Sequence, residues 1–172
     1  MPVAIPTIRQ AVIPADAEGL ASVYVSSAAH HARLDPSFYR VPTLDAVTAH
    51  YRSGPAGTRP DLLVAELGGH IIGMASLTEL AAPSPASMVA PLRTASVDVA
   101  VLEMYRGQGV GTLLMQAVER AAHAQGVQRL MLDAAAANDR ALHFYRAQLG
   151  YRDHGVFLRK DLPADPDTSS GK

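Results

Sequence analysis

SVDVAVLEMYRGQGVGTLLMQAVERAAHAQ, residues 96–125, is the stretch from which the rest of the chain can be read. Val97, Val99 and Val101 alternate with Asp98 and Ala100, which predicts a strand. A glycine-rich turn follows, Arg106-Gly107-Gln108-Gly109-Val110-Gly111. Val110, Leu113, Leu114, Ala117, Val118 and Ala121 then recur at the spacing of one apolar helix face, and Gly126 is a helix stop. A strand that enters a helix through such a turn is a device for holding anions. The first amides of the helix have no intrahelical acceptor, the macrodipole is positive there, and glycine lets a phosphate approach the backbone closely.

The glycine spacing narrows the ligand. A phosphate P-loop needs Lys and then Ser or Thr after its last glycine, whereas Gly111 is followed by Thr112 and Leu113. A dinucleotide fingerprint needs G-x-G-x-x-G, which Gly107-x-Gly109-x-Gly111 does not give. The stretch resembles instead the acetyl-CoA signature of the GCN5-related N-acetyltransferases (GNAT), Arg/Gln-x-x-Gly-x-Gly/Ala, with Arg106, Gly109 and Gly111 at the defining positions. The Val-Asp-Val-Ala-Val strand, the Tyr105-Arg106-Gly107 entry and the amphipathic exit helix strengthen that resemblance.

Composition sets the outer bounds. At 172 residues the chain is expected to form one domain, and 48% hydrophobic residues favour a folded core over disorder. A net charge of -1 gives no reason to expect nucleic acid or an anionic membrane as partner. With no cysteine, a disulfide framework and a covalent Cys-acyl intermediate are both excluded. No apolar run approaches the roughly 20 residues of a membrane span, and no signal peptide is legible, so a cytoplasmic protein is expected.

Along the chain, residues 7–13 read as a strand and 17–31 as a helix capped by Asp16, with Leu20, Val23, Tyr24, Ser27 and Ala28 inward. A second helix starts at Thr43 with Leu44, Val47 and Tyr51 inward. Residues 61–67 and 70–80 are strands joined by a Gly68-Gly69 hairpin turn. The proline-rich 81–95 stretch reads as a long loop. Residues 127–134 form a strand, 139–149 a helix begun by Asn138 and Asp139 and closed by Gly150, and 151–162 a last strand. The expected order is β-α-α-β-β-β-α-β-α-β, an α/β (α+β) fold. Its mixed, mostly antiparallel sheet is flanked by helices, and the 97–101 and 127–134 strands run parallel. This order matches the GNAT family from residue 7 to 162. It predicts one acetyltransferase domain over 1–162 and a disordered tail over 163–172.

The resemblance also implies roles. Acetyl-CoA is the cosubstrate, and its phosphates fall to the amides of Gly107, Gln108, Gly109, Val110, Gly111 and Thr112, with Arg106 by its motif position. The backbone of Val99, Ala100 and Val101 would hold the pantetheine arm and face the developing oxyanion. Asn138 through Tyr145, followed by Leu149-Gly150-Tyr151, is similar to the family's Asn…Ala-x-x-Phe-Tyr…Leu-Gly-Phe block. In that block Asn138 would bind the arm and Tyr145 act as general acid, although Tyr145 also fits a core aromatic and Asn138 a helix cap. Asp98, Asp133 or a bound water would be the base, while Glu103 fits a solvated strand end. His30 and His31 lie where family members shape the acceptor pocket, which the 30–41 link and 81–95 loop should form. Arg140 and Arg146 are further candidates for phosphate contacts. No metal site is expected. The implied activity is direct acetyl transfer to a primary amine of a small molecule, amino acid or protein. A longer acyl donor and a non-catalytic acyl-CoA sensor remain alternatives, and a homodimer, common in the family, stays open.

Overall fold

In the computed structural model, which describes residues 5–162, a single sheet carries its five strands in chain order. β1 (Thr7–Ile13), β2 (Gly57–Leu67), β3 (His70–Glu79) and β4 (Thr94–Val101) are antiparallel neighbours. β5 (Arg129–Met131) returns parallel to β4, as the intervening helix requires. The β2–β3 turn is Gly68-Gly69 with φ of 57° and 81°, the two positive angles of the expected tight hairpin.

The two faces of the sheet bury different helices. Leu63, Ala65, Ala75, Leu77, Ala95 and Val97 pack against Val110, Leu114, Met115 and Val118 of α3 (Val110–Ala124). Leu62, Val64, Met74, Ala11 and Ile13 meet Leu20 of α1 (Ala17–Leu34) and Tyr51 of α2 (Leu44–Arg52) on the other face. Leu114 is fully buried, so truncating it to alanine would cost about 2–5 kcal/mol. Thr43 caps α2, its hydroxyl accepting from the Ala46 amide at 3.3 Å.

Several expectations are corrected. Asp16 stands at the N-cap of α1, yet its carboxylate does not cap. It accepts from both Arg9 guanidinium nitrogens, at 2.6 and 2.9 Å, and from the Val12 amide at 2.7 Å. A bidentate charged partner outcompetes the neutral amides of a cap. Arg9 Nε also reaches Glu66 at 2.7 Å, so one knot ties β1, β2 and α1 together. Tyr24 and Leu44, expected inward, are about half exposed at 46% and 48%.

The 139–149 helix divides into α4 (Asp139–His143) and a π-helical turn, Phe144–Gln148. The strand expected over 151–162 does not form. β5 offers only three paired residues as a template. Val156, Phe157 and Leu158 make a consecutive run rather than an alternation, and all three are exposed. Arg159 is drawn elsewhere, to Asp35 and Ser37 and over the Phe38 ring at 4.9 Å. The outer edge of β5 consequently borders an open trough of about 600 Å³ lined by Arg129, Met131 and Tyr151. The proposed 163–172 tail lies outside the described residues. No described helix is long and apolar enough to cross a membrane.

Candidate active site

β4 and β5 pair only through Thr94–Ser96 with Arg129–Met131, and then part. Along β4, the even-numbered residues bond to β3: the Leu80 amide donates to Thr94 O, and the Leu102 amide to Ile72 O, both at 2.9 Å. The odd-numbered residues therefore turn their amides and carbonyls toward the β5 side, where beyond Ala95 no strand meets them. Val99 and Val101 face this gap. Ala100, expected to share their task, has its backbone directed at Met74 instead. The side chains of both valines stay packed in the α3 core, so the backbone is free to serve a ligand without disturbing the fold.

The gap opens onto the glycine loop. A 3-10 turn, Glu103–Tyr105, leads from β4 into it, and Arg106 Nε donates to Val101 O at 2.9 Å, pinning the loop to the strand end. Gly107 and Gly109 have φ of 78° and 83°, the left-handed region that side chains rarely adopt. Gly109 is the N-cap of α3 and carries no side chain to block it. Among the described residues, none of the amides of Gly107, Gln108, Gly109, Val110, Gly111 and Thr112 has a protein acceptor with hydrogen-bond geometry. The Gln108 side chain turns back to Met104 O at 2.7 Å, and Val110 buries its side chain while its amide stays at the helix start. At Gly111, an added Cβ would lie 3.4 Å from Cζ of Phe144, so the π turn packs directly on the loop.

Positive charge surrounds these amides. The Arg140 guanidinium lies over Gly107, with Nη2 2.9 Å from where a Cβ would stand. Arg33 reaches Glu103 at 3.2 Å. Burial holds the Arg106 guanidinium below its ordinary value against the pull of Glu103, and the charges of Arg140 and Arg33 act in the same direction as burial. His30 is lowered too, by burial first and then by Arg106, His31 and Arg33. An anion placed here would relieve that mutual repulsion. Arg146, by contrast, is held by Asp153 at 2.8 and 2.9 Å and leaves the site.

Tyr145 sits in the π turn, a distortion frequent at functional sites. Its ring lies 6.0 Å from that of Tyr151, and its carbonyl accepts the Tyr151 amide at 3.0 Å. Burial, and then the charge of Asp98, push the Tyr145 phenol up to about 12. Tyr51 on α2 is also pushed up to about 12, by burial first and then by Tyr24 and Asp98. Asp98 is thus the carboxylate whose field reaches both phenols. Asp133 lies two residues past β5, exposed, and reaches neither. Asn138 caps α4 through its side-chain oxygen, which accepts the Ala141 amide at 3.2 Å, next to the Arg140 that covers the loop. Sequence reading missed Tyr24, Tyr51 and Met74 as lining groups because they come from three separate elements and share no local motif. Their one signal was helical or strand alternation, which also describes a core.

The Acetyltransferase (GNAT) family model matches residues 30–151, which span the strand, loop, helix and π turn just described. The chain belongs to the GNAT family. Among solved structures, this GNAT domain is similar to a mutant of the BH1408 protein from Bacillus halodurans. The TM-score is 0.77 at 23% identity, over 91% of this chain and 99% of that one. It is similar to a transcriptional regulator from Bacillus halodurans C-125, with a TM-score of 0.65 at 22% identity, over 91% and 99%. It is similar as well to the aminoglycoside N-acetyltransferase AAC(6')-Iy in complex with CoA, with a TM-score of 0.61 at 20% identity, over 94% and 99%. At these identities the likeness is one of fold. No curated protein matches the sequence.

Proposed function

We propose that this GNAT domain is an acetyl-CoA-dependent N-acetyltransferase that moves the acetyl group directly onto a primary amine. One observation carries the reading: a continuous row of unpartnered backbone groups, from the Gly107–Thr112 amides down the open edge of β4 at Val101 and Val99, which ends at Tyr145. A diphosphate at the loop amides and a thioester arm along β4 would use that row end to end. The CoA complex of AAC(6')-Iy, a protein of the same fold, supports the choice of donor.

The chain's own groups then divide the chemistry. The amide of Val99 or Val101 stabilises the oxyanion as the amine nitrogen bonds to the thioester carbon. Asp98, directly or through a water, takes the proton that the ammonium must lose, and Asp133 lies on the far side of the gap. As the carbon–sulfur bond breaks, the Tyr145 hydroxyl donates to the sulfur. With the phenol near 12 and a thiol near 8.5, full proton transfer is uphill by about 5 kcal/mol. Tyr145 therefore acts first as a hydrogen-bond donor to the developing thiolate. Mixing the protein with acetyl-CoA in a calorimeter tests the reading, and saturable binding is expected. No heat of binding at millimolar ligand overturns it. Release of free CoA thiol on adding amines separates an enzyme from a sensor, and donors of different chain length separate acetyl from longer acyl transfer.

A further inference from the structure

The cleft is electrically polarised. At the loop end stand Arg33, Arg106 and Arg140, and at the other end a single carboxylate, Asp98. Asp98 pairs in register with Ser76, and the alternation of β4 puts its side chain on the face opposite the Val97 core, the face covered by α1 and α2. Met74 shares that face, and the Tyr51 hydroxyl reaches its Sδ at 3.6 Å, a weak acceptor for a hydroxyl. Tyr24 of α1 adds a half-exposed ring, and Tyr145 adds the ring nearest the reacting end. Elsewhere on the molecule carboxylates hold arginines: Asp16 with Arg9, Asp61 with Arg59, Glu79 with Arg93 and Asp153 with Arg146. Asp98 has no such partner among the described residues.

A lone carboxylate among phenol rings suits one kind of guest. An ammonium is drawn both to the charge and to the ring faces. A neutral amine gains neither, and it would strip water from Asp98 without replacing it. We infer that Asp98 is the receptor for the acceptor's ammonium group, and that the acceptor is a strongly basic aliphatic primary amine rather than an aryl amine or a hydrazide. This rests on the transferase reading above and specifies its substrate class. It also couples recognition to chemistry, because a cation beside Asp98 offsets the negative charge that makes the Tyr145 proton harder to give.

The test compares hexylamine and cadaverine with p-anisidine and benzhydrazide near neutral pH, in the wild type and in Asp98→Asn, by release of CoA thiol. Acetyl-CoA binding is measured on the same samples. The wild type is expected to favour the aliphatic pair in kcat/KM. In Asp98→Asn, KM for that pair should rise roughly 10- to 100-fold, the loss of a charge-assisted hydrogen bond, with KM for the aryl pair unchanged. A wild type that prefers the aryl pair or turns over neither, or a variant that loses kcat equally on all four with KM constant, overturns the inference. In each of those cases acetyl-CoA binding persists and the donor reading stands. Absence of acetyl-CoA binding overturns both.

Discussion

Residues 96–125 and residues 20–51 face the same cleft from two sides, and they recognise in different ways. The first is contiguous: strand edge, loop and helix start present backbone amides whose direction follows from φ angles and register. The second is assembled: Tyr24, Tyr51 and Met74 come from α1, α2 and β3 and present side chains. Backbone recognition is indifferent to most substitutions except those at the glycines. Side-chain recognition can be changed one residue at a time. The donor side therefore suits a constant ligand, and the acceptor side one that differs between relatives of the same fold.

That contrast is open to attack on both sides. The largest effect is expected at Gly109, where φ is 83° and the amide opens α3. Gly109→Val forces a β-branched residue into the left-handed region and loses two or more charge-assisted hydrogen bonds to phosphate. Acetyl-CoA Kd measured by calorimetry should rise about 100-fold or more. Retention of wild-type affinity would mean that the loop is not the anion receptor. Next comes Tyr145→Phe, which should lower kcat roughly 100-fold with acetyl-CoA Kd unchanged, in the range for loss of one proton donor. Equal losses in both quantities would make Tyr145 a binding residue.

Away from the cleft, Asp16→Asn should cost about 1–3 kcal/mol near neutral pH in urea unfolding, by breaking its hydrogen bonds from Arg9 and Val12. The hydrogen bond from Arg9 is the main cause that holds the Asp16 carboxyl below 3.8. A lowered folded value contributes stability above 3.8 that disappears as pH falls through the folded value, so wild type and variant should converge in acid. A difference that persists there would assign the knot to packing instead. The smallest effect belongs to Phe157→Ser at the 91% exposed ring of the terminal segment, within about 0.5 kcal/mol of wild type.

Legibility in the sequence followed the same division. The β4–loop–α3 unit, the Gly68-Gly69 hairpin and the Thr43 cap were readable because each is fixed by a few neighbouring residues. The failures were all tertiary. Asp16 reads as a cap until Arg9, seven residues earlier, folds back to claim it. Residues 151–162 read as a strand, but a strand needs a partner and β5 provides only three paired residues. Ala100 belonged to the right strand, yet only the register with β3 reveals that its backbone faces away from the gap. Tyr24 and Tyr51 carry no motif at all. Their meaning depends on Asp98, which is far away in the chain and adjacent in their electrostatics.

The central claim is that amides at the α3 start grip a diphosphate while its arm runs along the open edge of β4. An amide-resolved NMR titration of the isotope-labelled protein with CoA tests this directly. The account predicts that the largest shifts fall on Gly107–Thr112, followed by Val99 and Val101, with Ala100 less affected because its amide is paired with β3. Shifts concentrated at the β5 trough around Arg129 and Tyr151, with the loop amides unmoved, would contradict it.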